Sequence, residues 1–191
     1  MKNIINAIVL SFVLTLSIQA FSLNINSDLQ NNLIRLHIVA NSNSENDQKI
    51  KYKIRDEILK NVSLSDKNFL TKAEEIANNE LINENYKATA VFDKFYFPKK
   101  KYKNITLPQG YYNGIKIFLG EGKGENWWCM LYPPVCVSKN EVEIDKKSKI
   151  ILKNELNNET YDIITQNNDK IIVKFKVVEA YNYIIEKIKN I

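Results

Sequence analysis

A lone histidine, His37, and two cysteines, Cys129 and Cys136, are the residues here best suited to nucleophilic or acid–base chemistry. A thiol hydrolase needs a thiolate beside a histidine, with an Asn or Asp such as Asn41 or Asp47 to orient the ring. Nothing in the spacing brings His37 to either cysteine. Six residues separate the cysteines, and Pro133-Pro134 turns the chain between them. In an exported protein that pattern suggests one disulfide. Two buried thiols, a nucleophile and half of a metal site are the competing readings. Closing a loop of about eight residues contributes roughly 2.5 kcal/mol on the chain-entropy account. Gly120-x-Gly122-x-Gly124 invites a nucleotide. A dinucleotide fingerprint, however, places its third glycine one position later and opens a helix. Here Trp127-Trp128-Cys129 follows, which is strand-like, so the glycines read as a tight turn with positive φ. No metal, cofactor or catalytic role is expected.

The chain is otherwise rich in Lys, Asn and Ile. All five glycines, all four prolines, both tryptophans and both cysteines fall between Pro98 and Cys136. Arg35 and Arg55 are the only arginines, and guanidinium is kept where bidentate or stacked geometry matters. Arg55 with Asp56, Asp47 and Gln48 is placed to order a strand–helix junction or to form a recognition surface. Trp127 and Trp128 point to opposite faces of a strand, so one is expected inside and the other exposed, where Trp anchors interfaces.

These residues need elements to hold them. Lys2 precedes an apolar run from Ile4 to Ile18, shorter than the roughly 20 residues of a membrane span. With Ala20 after it, the run reads as a secretory signal cut after Ala20, with an uncleaved anchor as the alternative. Residues 21–191 are then a single extracytoplasmic domain after a signal peptide or anchor of residues 1–20. Net charge is +5, and residues 1–20 carry only Lys2, leaving +4. That is too mild for a nucleic-acid partner. It allows peripheral contact with an anionic membrane or wall, for which Pro98-Lys99-Lys100-Lys101-Tyr102-Lys103 is the candidate patch; its plain reading is a solvated loop.

Residues 21–32 read as a flexible lead-in and Leu33–Ala40 as a strand. A helix follows, opened by Ser42 with Glu45 or Ser44 with Asp47, with Ile50, Ile54 and Ile58 on its buried face. On the same helix, Asp47, Lys51 and Arg55 form a second line with acid before base. A second helix is expected from about Asp66 to Asn85. Strands are expected over Lys87–Phe97, Tyr111–Leu119, Asn126–Tyr132 and Val135–Ile144. Residues 145–169 are polar and hard to assign. Ile171, Val173, Phe175 and Val177 alternate as a strand over Lys170–Val178, and Tyr181–Ile188 suggests a closing helix. The fold class is α+β: a strand and two helices, then a mainly antiparallel sheet with a C-terminal strand and helix.

Two blocks resemble a known family. Leu33-Ile34-Arg35-Leu36-His37-Ile38-Val39-Ala40-Asn41-Ser42-Asn43-Ser44, with Asp47-Gln48, Lys51 and Arg55-Asp56, is similar to the N-terminal signature of the stage II sporulation protein R family. Leu107-Pro108-x-Gly110-x-Tyr112, Gly120-Glu121-Gly122-Lys123-Gly124-x-Asn126-Trp127-Trp128-Cys129 and Tyr132-Pro133-Pro134-x-Cys136 resemble its second signature. The family often has Phe where Tyr132 stands, and no signature matches after about residue 140. The resemblance implies a protein made in the forespore and exported into the space between the two membranes of the sporulating cell. There it activates a membrane aspartic protease of the mother cell, which processes a sigma-factor precursor. On this view Arg35, His37, Asn41, Ser42, Asp47, Gln48, Arg55, Asp56, Asn126, Trp127 and Trp128 are candidates for contact with the protease. The alternative is an extracytoplasmic hydrolase of wall or peptide, using His37 with Glu45 or Asp47.

Overall fold

A computed structural model describes residues 1–62, 68–102, 105–133, 146–165 and 169–190. The chain forms α1 (Lys2–Asn32), β1 (Ile34–Val39), α2 (Glu45–Asn61), α3 (Phe69–Glu80), β2 (Ala88–Phe97), β3 (Lys100–Tyr102), β4 (Ile105–Leu107), β5 (Gly110–Leu119), β6 (Asn126–Tyr132), α4 (Lys146–Glu155), α5 (Asn158–Thr165) and α6 (Asp169–Lys189). This is an α+β chain. It divides into two compact units, neither contiguous in sequence. One comprises Met1–Asn32, Tyr96–Tyr111 and Lys149–Ile191; the other comprises Leu33–Phe95 and Tyr112–Ser148.

The second unit is built on a sheet of order β2-β5-β1-β6. β1 pairs in parallel with β5 (Leu36 opposite Ile115, Ile38 opposite Ile117) and antiparallel with β6 (His37 opposite Trp128, Ile38 opposite Trp127). The sheet is therefore mixed, where a mainly antiparallel one was expected. Apolar patterning marks strands without giving their direction, and direction is set by the long crossover through α2, α3 and β2. One face of β1 presents Leu36 and Ile38 to Ile54 and Ile58 of α2 and to Phe69, Ala73 and Ala77 of α3, forming one apolar cluster. The other face carries Arg35, His37 and Val39. β1 is buried on both sides, so its polar Arg35 and His37 are buried along with its apolar residues. Ser44 is the N-cap of α2: its Oγ accepts from the Asp47 N–H at 3.1 Å. The second helix is shorter than expected, ending at Glu80, and Asn78 leaves its outer surface to bond Ala88.

The first unit joins the last third of α1 to α5, α6 and the β3–β4 ladder, in which Lys100 pairs with Leu107. Ser22, Ile25 and Leu29 of α1 are buried. Residues 21–32 are thus helix and not a flexible lead-in, and the chain begins on a long helix before the expected strand and two helices. The polar stretch after residue 145 holds α4 and α5. Asn157 caps α5, its Oδ1 accepting the Thr160 N–H at 2.8 Å. The expected strand over Lys170–Val178 is instead part of α6. Phe175 and Val178 are buried at helical spacing, while Val173, which alternation would bury, is 64% exposed. Packing against α1 and α5 overrides the strand preference of the β-branched residues. The basic run is not a bare loop either: Lys100–Tyr102 is β3, and Lys99 pairs with Glu179 at 3.2 Å. The strand expected over Val135–Ile144 lies outside the described residues, as do Lys103 and Cys136.

Candidate interaction site

The two sequence blocks meet in space. The segment from Ala40 to Asn43 and the glycine turn from Gly120 to Gly124 are hydrogen-bonded along their lengths. Gly124 N–H donates to the Ala40 carbonyl at 2.8 Å and Lys123 N–H to the Asn41 carbonyl at 3.1 Å. Asn41 Oδ1 accepts the Glu121 N–H at 3.0 Å, and Asn43 Oδ1 accepts the Glu125 N–H at 2.7 Å. The fit is too close for side chains. A Cβ on Gly124 would stand 2.2 Å from the Ser42 carbonyl oxygen. Gly120 has φ +56°, and its Cβ would stand 2.3 Å from Asn41 Oδ1.

Asp47 holds this junction from below. Its carboxylate accepts from Ser42 Oγ at 2.5 Å, Tyr86 Oη at 2.5 Å and Asn41 Nδ2 at 3.1 Å. Burial pushes the carboxyl pKa up, but hydrogen bonds from Ser42, Tyr86 and Asn41, with Ser44 beside them, outweigh burial and hold it below the usual range. Burial and the hydrogen bond to Asp47 raise the Tyr86 phenol. Lys51 is wholly buried. Its Nζ donates to Gln48 Oε1 at 2.5 Å and to the Glu125 carbonyl at 3.1 Å, and burial lowers its pKa. Gln48 Nε2 in turn donates to the Ser42 carbonyl at 2.8 Å. Asp47 and Lys51 are each turned to the glycine turn and its junction, while Glu45 and Lys49 pair at 2.6 Å on the surface of α2.

On the sheet face opposite the helices, His37 stacks on Trp128 with ring centroids 3.5 Å apart. His37 Nε2 lies 2.5 Å from Asn126 Oδ1, the donor geometry of a neutral ring protonated on Nε2. Burial lowers the His37 pKa to about 4, with Lys116 and Arg35 adding to the effect and the Asn126 bond opposing it. Arg35 is fully buried, its guanidinium 5.0 Å from the Tyr112 ring centroid. At the surface, Arg55 grips Asp56 through Nε at 2.8 Å and Nη2 at 2.7 Å. The same guanidinium lies 4.9 Å from the Tyr52 ring and 5.3 Å from the Trp127 ring. Trp127 packs partly against the apolar cluster. Both tryptophans are half-buried, so neither is the wholly exposed anchor expected.

The structure therefore separates the sequence candidates into three sets. Asn41, Ser42, Asp47 and Gln48 build the junction, joined by Tyr86 and the Glu125 carbonyl, which sequence reasoning missed. Tyr86 lies in a polar turn with no periodic signal, and a backbone carbonyl has none at all. Arg35 and His37 lie beneath the surface. Arg55, Asp56, Asn126 and Trp127 reach solvent, Trp128 is half-buried against His37, and Tyr52, which sequence reasoning also missed, is 41% exposed. His37 does not face Asp47, whose carboxylate is taken by the junction. Cys129 is disulfide-bonded and buried, and the chain's other cysteine, Cys136, lies outside the described residues. Among the described residues no group of three or more His, Cys, Asp or Glu could hold a metal ion.

Comparison with known proteins adds the family. Residues 30–142 match the family model described as Stage II sporulation protein R (spore_II_R). The chain is 40% identical over 119 residues to Stage II sporulation protein R of Bacillus subtilis (strain 168), covering 54% of this chain and 53% of that protein. The matched part thus spans about half the length of the curated relative. No solved structure matches. With more than half of its residues under the family model and the two signature blocks interlocked, the chain belongs to the stage II sporulation protein R family.

Proposed function

We propose that this chain is an exported sporulation signal that acts by binding: made in the forespore, it docks on a mother-cell membrane aspartic protease and favours its active state, so that a sigma-factor precursor is processed. Apolar α1 supplies the export element, being long and apolar enough to cross a membrane or to serve as a signal sequence. The observation that carries the binding reading is the interlocked junction. It spends its polar groups on fixing a surface, leaving Tyr52, Arg55, Asp56 and Trp127 side by side at that surface. Aromatic residues and arginine on a rigid support are the usual composition of an interface centre. A ligand of this kind shifts its receptor by no more than its differential affinity for the two receptor states.

The hydrolase alternative needs His37 to work with Glu45 or Asp47. His37 instead faces Asn126, and the Asp47 carboxylate is engaged by Ser42, Tyr86 and Asn41. The test is co-expression of the protease and the sigma-factor precursor in vegetative cells, with this chain exported. Processing is expected with the wild-type chain and is expected to fall at least tenfold with Arg55→Ala or Tyr52→Ala, both at the surface and outside the core. Undiminished processing by both variants would remove this surface from the site. Processing of the precursor by this chain without the protease would overturn the signal reading.

A further inference from the structure

α1 is one uninterrupted helix with two different environments along it. From Ile4 to Ile18 its apolar residues are exposed on every side: Ile4, Leu10 and Phe12 are each more than 60% exposed, though they point in different directions. No charged residue lies between Ile4 and Ile18, and Lys2 stands just before this part. Its hydroxyls are satisfied within the helix. Ser11 donates to the Ile8 carbonyl at 2.9 Å, Thr15 to Ser11 at 2.8 Å and Ser17 to Val13 at 2.8 Å. That is the arrangement hydrocarbon demands, because no water is present there to take up a free hydroxyl. The apolar run Ile4–Ile18 alone falls short of a span, but the helix continues unbroken through its flanks, and residues 2–21 give a rise of about 30 Å, the thickness of a bilayer core.

Immediately beyond, the same helix is part of the folded unit. Ser22, Ile25 and Leu29 are buried. Asn26 and Asn182 exchange hydrogen bonds at 2.6 and 3.0 Å, and the Asn157 N–H donates to Asp28 at 3.0 Å. Phe21 lies beside Lys174 and Asn26 beside Asn182, so α1 and α6 run in the same direction. The amino end of α6 is thereby brought to the level where the bare part of α1 ends. There α6 leaves Ile172 and Val173 exposed. Peptidases take substrates as extended strands, whereas Ile18–Ser22 lies in mid-helix, with branched Ile18 where a cleavage site wants a small residue.

We propose that α1 is a permanent anchor: residues 2–21 stay in the lipid bilayer, uncut, and the unit formed with α5 and α6 is seated on the membrane surface with Phe21, Ile172 and Val173 at the lipid boundary. This bears on the signalling reading by making the ligand a tethered one, and it rests on that reading only for which side of the membrane the folded part faces.

The test exports the full chain in vegetative cells, measures its intact mass and extracts membranes with alkaline carbonate. The expected result is a chain retaining residues 1–20 in the membrane pellet. A chain beginning near Phe21, or an intact chain washed into the supernatant, overturns the proposal while leaving the signalling reading standing. The converse failure is visible by adding protease to whole cells: an anchored chain protected from digestion sinks export and keeps the anchor. Purified full chain is also floated with vesicles of phosphatidylethanolamine and phosphatidylglycerol alone. Wild type is expected to co-float and Leu14→Arg to partition at least tenfold less. Equal partitioning of the two, or co-flotation only when a membrane protein is added, overturns the lipid assignment.

Discussion

Asp47 shows how little a residue's type says about its use. Its position in the first turn of a helix, behind a Ser cap, is legible from the sequence and correct. Its larger task, holding Ser42, Asn41 and Tyr86 together, depends on partners brought by the fold and has no local signal. The glycines were legible as a turn, but the closeness of Gly124 to Ser42 was not, because it is set by the other block. His37 gives the residue-scale prediction. Its folded pKa, about 4, lies below the 6.5 of a free imidazole. Above pH 6.5 neither folded nor unfolded chain binds the proton, so His37 adds no pH dependence there. Between 6.5 and 4 the unfolded chain takes up a proton that the folded chain refuses, and stability falls by about 3 kcal/mol across the window. Urea titrations from pH 7 to 4 should show this fall in wild type and a flatter profile in His37→Gln. An unchanged slope in the variant would assign the acid sensitivity elsewhere.

At the scale of elements, the strands and helices of the second unit were readable because each has one period and one buried face. Helix α6 was not. Its Ile, Val and Phe fit both a period of two and a helical face, and only packing against α1 and α5 decides between them. Strand β2 carries a feature no pattern reveals. Asn78 of α3 bonds both the N–H and the carbonyl of Ala88, at 2.9 and 3.1 Å, standing in for a neighbouring strand. Glu74 takes the Ala90 N–H at 2.7 Å. A helix thus covers backbone groups that would otherwise template pairing with another chain. Removing both side chains in a Glu74→Ala, Asn78→Ala variant should destabilise the chain by about 2 kcal/mol. It should also raise its tendency to self-associate, read by light scattering beside urea denaturation. A variant as stable and monodisperse as wild type would show the cover to be incidental.

For the whole molecule, the family match and the division into units are informative together. Residues 30–142 take in every described residue of the second unit up to Pro133, while most of the first unit lies outside the match. The shared function is thus expected in the unit that holds the junction, and the first unit is expected to serve attachment. That division could not be read from the sequence, since the first unit is assembled from three separated segments. The disulfide at Cys129 ties stability to the compartment. With Cys136 as partner it closes a loop of about eight residues, so reduction should cost roughly 2.5 kcal/mol. The oxidised protein should therefore show a lower urea midpoint in dithiothreitol, with a mass increase of two hydrogens; equal midpoints would show that the bond adds no stability.

The seam between Ala40–Asn43 and Gly120–Gly124 also governs timing. Its two halves are some eighty residues apart, and neither has its partners until the other arrives. A truncated product or a nascent polypeptide that stops before Asn126 therefore has no finished surface to offer. Until nearly two-thirds of the polypeptide has emerged, the seam has one lip only and stays open.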